Sequence, residues 1–553
     1  MSKVKIQGHA SGTGVITLTA PNTSTDRTVT LPDESITLSA GTTTLGGLTD
    51  VSMDITNFAD SLLIQPDSDG SAPTTGTLSS ASDNVGIGKD VFAALTSATW
   101  NTAIGSNAAL VLTTGQSNAA LGYYALSSNT TGSSNVAIGR RALNSNTTAS
   151  NNTAVGRDAL NGNTTGTSNV SVGYKSLYST TTSDGNTAIG YECMYSNTSG
   201  QNNVAIGISA LDAVNTGDSN VAIGHTAMAT NTSGHECVAI GRSAMYNNTT
   251  GADNVAVGYS AMDNNTTAAY NTAIGFHALK ANTTGEKNTA VGTHALDANT
   301  TGSKNVAVGK DAMGANTTGY SHVAIGYDAA AAQTTAIENV VIGDDTGKNI
   351  TSGSYNVIIG RTSCSYNTNL TTGNKNVVIG SYNYTTDANT DQAIILGHGV
   401  GGAQNYTTLG HSTSDIRAEH GVATWATVSD ERVKKDITDS TAGLSFVNAL
   451  KPRTFKYKNL GDLPNTFNAY KEGSTEVFKN SNTNHGFIAQ EVKAAINADS
   501  SIKDGFKMWD DREDGSQEVA EAALIPVLVK AIQELSAENK ALLTRIEALE
   551  NNA

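Results

Sequence analysis

Glycine recurs at every seventeenth residue from Gly88 to Gly360 without a slip. A step of 20 then leads to Gly380, and another 17 to Gly397. No other feature constrains the fold as much, because seventeen residues are too few for a domain and too regular for a loop. They suit one coil of a β-solenoid, whose units bury their apolar residues by stacking on one another. The consensus is Asn-(Val/Thr)-Ala-(Ile/Val)-Gly-x-x-Ala-(Leu/Met)-x-x-Asn-Thr-Thr-Gly-x-x. In the unit that opens at Asn203, Val204 and Ile206 share one face of a short strand and Ala205 takes the other. Gly207 then permits a bend or a close backbone approach, and Ala210-Leu211 points a second apolar residue inward. Asn-Thr-Thr-Gly is turn chemistry, with threonines that face water. The strand-opening asparagine, replaced by Cys237 in one coil and His322 in another, stacks as an amide ladder. Seventeen coils at one inter-strand spacing each make a rod of about 80 Å.

Such a coil has little to bury. It offers about three aliphatic side chains, and aromatic residues make up 5% of the chain. A single roll is marginal by area, whereas three rolls side by side each cover one flank, so a homotrimer is expected. Glycine numbers 55 with only 7 prolines and no Gly-x-y period, which excludes collagen. A net charge of −16 argues against nucleic acid as a partner. Cys193, Cys237 and Cys364 lie at different places in the coil and form no metal or disulfide pattern. They imply synthesis in a reducing cytoplasm. The N-terminus shows no apolar signal-peptide core, and no stretch is long and apolar enough for a membrane helix. The Asn-Thr-Thr sequons read as turns first, and no cofactor or metal is expected.

The last quarter of the chain carries different signals. Ser429-Asp430-Glu431-Arg432-Val433-Lys434-Lys435 places a hydroxyl five residues before a lysine. Serine is a poor nucleophile until a base removes its proton, and lysine serves as that base only where burial or a nearby cation lowers its pKa. Lys435 supplies such a cation. The same residues also read as a helix N-cap followed by a solvated face. Leu450-Lys451-Pro452-Arg453-Thr454-Phe455-Lys456-Tyr457 and His485-Gly486-Phe487-Ile488-Ala489-Gln490-Glu491-Val492 follow, separated by a polar insert near Gly461 to Asn484 that is expected to loop out. Leu528, Ile532, Leu535, Asn539, Leu542, Ile546 and Leu549 then step by four and three, a coiled-coil seam with one polar member.

In this order the four elements resemble the self-cleaving C-terminal chaperone of endosialidases and other phage tail fibres, over about residues 410–553. The resemblance implies a Ser-Lys peptidase that acts once on its own chain. Ser429 is then the nucleophile, Lys434 the base and Val428–Ser429 the bond cut, with Asp430, Lys435, His485 and Gln490 as supporting candidates. The repeats resemble the β-roll in the heads of trimeric autotransporter adhesins, which implies a fold and a trimeric habit but no chemistry. An adhesin of that kind needs a signal and an anchor, while a phage fibre released by lysis needs neither.

The expected protein is mainly β. An N-terminal β module at residues 1–40, with alternating strands at Gly14–Ala20 and Arg27–Pro32, resembles the opening of many tail-fibre proteins. A linker at 41–83, β-roll repeats at 84–397 and a neck at 398–428 follow. An α+β chaperone at 429–553 ends in a coiled coil at about 524–550. The expected function is a homotrimeric phage tail fibre, made in the host cytoplasm and carried on the virion. It joins the tail or baseplate through its N-terminus, binds a host glycan or outer-surface protein, and inserts into no membrane. The alternative is an adhesive surface fibre with an uncleaved trimer clamp. A glycan-degrading enzyme is disfavoured, because no carboxylate pair sits in a cleft-forming domain. The loop around Arg361 to Tyr366 and the residues Tyr123, Tyr124, Tyr174 and Tyr191 are the candidate receptor contacts.

Overall fold

The computed structural model describes residues 51–55, 57–65, 75–213, 215–412, 414–422, 434, 436–500, 502, 508–511 and 516–552. The β module expected at residues 1–40 lies outside the described residues. The chain divides into two compact units, Met1–Val428 and Ser429–Ala553.

The first unit is a β-solenoid. Every coil contributes one three-residue strand from Val85–Ile87 to Val377–Ile379, eighteen in all, and Ile394–His398 makes a nineteenth. At one inter-strand spacing per coil the stack is about 90 Å long. Neighbouring strands run parallel and in strict register, as in Val204↔Val221, Ala205↔Ala222 and Ile206↔Ile223. The 20-residue step keeps that register, since Val357 pairs with Val377.

A hairpin covers each end of the stack. An antiparallel hairpin of Val51–Ile55 and Phe58–Ile64 covers the first coil, with Leu62 paired to Val85. Its Phe58 and Leu63 are fully buried with Phe92 and Leu95 of the first coil. At the other end Tyr406–His411 pairs parallel to the last coil strand, and Ser414–Glu419 turns back antiparallel upon it. Each hairpin pairs the backbone donors and acceptors of the terminal coil strand it covers.

The strand alternates as expected, but its sides are the reverse of what hydrophobicity suggests. Ala205 is fully buried, while Val204 is half-buried and Ile206 is 36% exposed. The same pattern holds from coil to coil, with alanine inward and the branched pair outward. The interior is narrow, and two alanines with one Leu or Met per coil fill it, as Ala205, Ala210 and Leu211 do.

Two ladders of buried asparagine run through it. The backbone N–H and the Nδ2 of Asn220 both donate to Asn203 Oδ1, at 2.9 and 3.1 Å, and the same Nδ2 also donates to the Gly234 carbonyl at 2.9 Å. The turn asparagine forms a second ladder that the repeat did not announce. Asn282 Nδ2 donates to Asn265 Oδ1 at 3.1 Å and to the Gly285 carbonyl at 2.9 Å. Turn threonines are exposed or half-buried, and they are not idle: Thr232 Oγ1 donates to the Thr249 carbonyl of the next coil at 2.9 Å.

Backbone conformation explains the glycine period. Gly224 sits at φ +138°, and a Cβ there would lie 2.5 Å from the Gly241 carbonyl oxygen above it. The Leu/Met position also adopts positive φ, 53° at Leu211. Such a conformation is unfavourable for a bulky residue. It is held because the Leu211 N–H reaches the Ala227 carbonyl of the next coil at 3.0 Å.

Candidate functional site: the C-terminal unit

The second unit is small and mixed. Helix Leu444–Ala449 precedes a two-stranded ribbon of Arg453–Phe455 and Asn484–Gly486, followed by helix Ala489–Ala498. A second ribbon, Trp509–Asp511 with Gln517–Val519, leads into the 26-residue helix Ile525–Glu550. Phe446, Val492, Ile496, Met508, Leu524 and Val527 form the core.

The sequence motifs are structural neighbours. Thr454 pairs with His485 across the first ribbon. Arg453 grips Glu491 with both arms of its guanidinium, at 2.9 and 2.5 Å. That guanidinium holds the Glu491 carboxyl below its ordinary range. The pair ties the ribbon to the first turn of helix Ala489–Ala498. The polar insert leaves and returns between these paired strands, as expected. It does not hang free, because Asn459 bridges to Val477 and the Leu460 N–H donates to the Glu476 carbonyl at 2.7 Å.

Helix Leu444–Ala449 has Gly443 at its N-cap and no side-chain cap of its own. Glu534 of the long helix supplies the missing acceptor, taking the Leu444 N–H at 2.7 Å. A carboxylate at this end of a helix also meets the positive pole of its dipole. Arg453 and Glu491 read in the sequence only as motif members, and Glu534 only as a charge flanking the heptad seam. Their charges were the available signal.

The expected site residues are placed as follows. Val428, Ser429, Asp430 and Lys435 lie outside the described residues. Lys434 is exposed. His485 is exposed on its strand, and Gln490 is exposed in the first turn of its helix.

The long helix divides its faces. Val527 and Ala531 are buried against the unit. The seam residues point elsewhere: Ile532 is 65% exposed, and Leu528, Leu535, Leu542, Ile546 and Leu549 are exposed as well. Six large aliphatic residues on one unpartnered face are the pattern of a coiled-coil strand awaiting its partners.

The chain thus combines a repetitive β-solenoid with a separate mixed unit that ends in an exposed heptad seam. Residues 429–499 match the family model for the chaperone of endosialidase. The C-terminal unit thus carries the match to a folding chaperone, and with the 17-residue coils before it the chain is similar in build to a tail fibre. Comparison with curated proteins gives no match. Among the described residues no helix is long and apolar enough to cross a membrane.

Proposed function

We propose that the chain is a phage tail fibre that attaches the virion to its host, assembles as a homotrimer, and loses its C-terminal unit by self-cleavage at Val428–Ser429. The observation that carries this reading is a coincidence of boundaries. The family match begins at Ser429, and the chain divides into its two compact units at the same residue. A nucleophile at the first residue of a separable unit releases that unit whole.

Three features support trimerisation. The heptad seam is exposed in the single chain. The outward valine, threonine and isoleucine column leaves a continuous apolar strip along the sheet, which a second and third roll would cover. The repeat also makes register ambiguous, since a slip by one coil exchanges near-identical contacts. An alignment device outside the repeat answers that need.

The proposed chemistry is one turnover. Lys434 takes the Ser429 hydroxyl proton, and Oγ attacks the Val428 carbonyl carbon. The Val428–Ser429 C–N bond breaks as the Ser429 amine leaves with a proton, so the Val428 acyl group rests on Ser429 Oγ as an ester. Water then cleaves the ester, giving a Val428 carboxylate and the free serine. Lys434 is exposed in the single chain, so in this proposal the burial that makes a lysine a base comes from trimer assembly.

The test is an SDS gel of the purified chain beside Ser429→Ala and Lys434→Ala. Wild type should shorten by residues 429–553, and both variants should stay at full length. Normal processing of Ser429→Ala refutes the peptidase. An uncut wild type that still forms trimers leaves a permanent clamp instead.

A further inference from the structure

The outward column just past each coil glycine changes character along the rod. Over five consecutive coils it reads Tyr123, Arg140, Arg157, Tyr174 and Tyr191, and the column beside it reads Tyr124, Arg141, Asp158, Lys175 and Glu192. Tyr123, Arg140, Arg141, Arg157 and Tyr191 are exposed. The rings are held in order by each other. Tyr174 and Tyr191 stack at 5.1 Å between centroids, and Tyr178 and Tyr195 stack beside them at 5.2 Å. Lys175 Nζ stands 5.4 Å from the Tyr174 ring and 5.5 Å from those of Tyr178 and Tyr195. The Arg157 guanidinium lies 5.5 Å from the Tyr174 ring.

One carboxylate organises the cations from beneath. Asp158, whose side chain is 8% exposed, takes the Arg157 Nε at 3.2 Å and lies 4.0 Å from the Arg141 Nε. Both of these contacts use the inner nitrogen, Nε, and both arginines remain exposed. Among the described residues no side-chain hydrogen bond or ion pair engages Arg140. Four cations thus stand against two carboxylates, on a chain whose net charge is −16.

We propose that this strip binds a carboxylated polysaccharide lying along the rod. The proposal rests on the host-attachment reading and names its receptor class. An arginine fork matches a carboxylate through two parallel hydrogen bonds. A linear polymer with an acid on each repeat meets cations that recur at the coil rise, over a strip of about 20 Å. Rings already fixed by stacking lose little freedom on binding, and their hydroxyls add hydrogen bonds to sugar oxygens. A neutral glycan offers no anion to the Arg140 guanidinium. A nucleic acid requires denser phosphate neutralisation than four cations in an acidic chain supply.

The test is affinity electrophoresis of the full chain in gels containing polygalacturonate, neutral dextran, dextran sulfate or single-stranded DNA. Polygalacturonate should retard the wild type and dextran should not. Arg140→Gln/Arg141→Gln should bind about tenfold more weakly. Lys310→Gln, at the same column elsewhere on the rod, should bind as wild type does. Arg140→Gln alone guards against misfolding, because among the described residues that side chain has no hydrogen bond or ion pair to lose, and it should weaken binding in the same direction. Unchanged binding by both arginine variants, equal retardation by dextran, or binding confined to dextran sulfate or DNA overturns the proposal. Sizing and gel mobility of the same samples separate the two readings. A trimer that is processed normally but ignores polygalacturonate refutes the strip and leaves the chaperone fibre standing.

Discussion

Changing Asn203 to alanine should open the solenoid locally without dissolving it. Asn203 is fully buried. Its Nδ2 donates to Asn186 Oδ1 at 3.2 Å and to the Gly217 carbonyl at 2.9 Å. Its Oδ1 accepts the backbone N–H of Asn220 at 2.9 Å and its Nδ2 at 3.1 Å. Alanine removes all of these. Asn186 Oδ1 keeps one donor, the Asn203 N–H at 3.0 Å. The Gly217 carbonyl, the Asn220 N–H and one Asn220 Nδ2 hydrogen are left buried without partners. At about 1–3 kcal/mol for each orphaned group the loss is about 3–9 kcal/mol. A water entering the vacated amide space recovers part of it, which puts the cost near 4 kcal/mol. Coils contact mainly their neighbours, so the penalty appears as local opening rather than global melting. Native-state hydrogen exchange read by mass spectrometry should show amides of residues 186–220 exchanging about a thousandfold faster than in wild type. Distant coils should be unchanged. Asn247→Ala, which removes only the exposed Asn247–Asn264 contact, should change exchange by less than about tenfold. If Asn203→Ala stays within that same tenfold, the ladder is not what holds coil to coil.

Gly224→Val should cost more than Thr232→Ala, because the valine Cβ would sit 2.5 Å from the Gly241 carbonyl while the threonine loses one exposed hydrogen bond worth about 0.5–1 kcal/mol; equal exchange rates around residue 224 would refute the packing argument. His322 occupies an asparagine position, with Nε2 on the Ala336 carbonyl at 2.7 Å and Nδ1 accepting the Asn339 N–H at 3.0 Å. Burial pushes its pKa down to about 4, so stability is lost as the pH falls from the unfolded value near 6.5 through that value, in all about 3 kcal/mol. Exchange at residues 322–339 measured at pH 7.5 and pH 4.5 should show this sensitivity in wild type and not in His322→Asn; matching profiles would remove histidine as its source. Ile532→Asp should abolish self-association and leave the C-terminal unit folded, whereas Val527→Asp should unfold it, and sizing with circular dichroism separates the two outcomes. A trimer that survives Ile532→Asp means the exposed seam is not the contact.

The chemistry of the C-terminal unit was legible only as far as its motifs. Ser429, Lys434 and the later motifs could be quoted in order, yet nothing in the spacing announced that Arg453 would clasp Glu491 or that Glu534 would cap a helix 90 residues earlier. Such contacts join distant segments, and charged residues at a surface carry no periodicity that would point to them.

In the solenoid the division falls elsewhere. A seventeen-residue period, a short strand before each glycine and a strand-opening asparagine that stacks were determined by the sequence alone, because each is a local steric or hydrogen-bonding demand repeated many times. Alternation likewise required Ala205 and the pair Val204, Ile206 to face opposite ways. Which side became the interior was decided only by the tertiary structure. A coil this small encloses room for alanines with one Leu or Met, so the larger branched residues turn outward, against the preference that hydrophobicity states. The left-handed backbone at Leu211 and the second asparagine ladder have the same origin. Both depend on a hydrogen-bond partner one full coil away, which exists only after the coils have stacked.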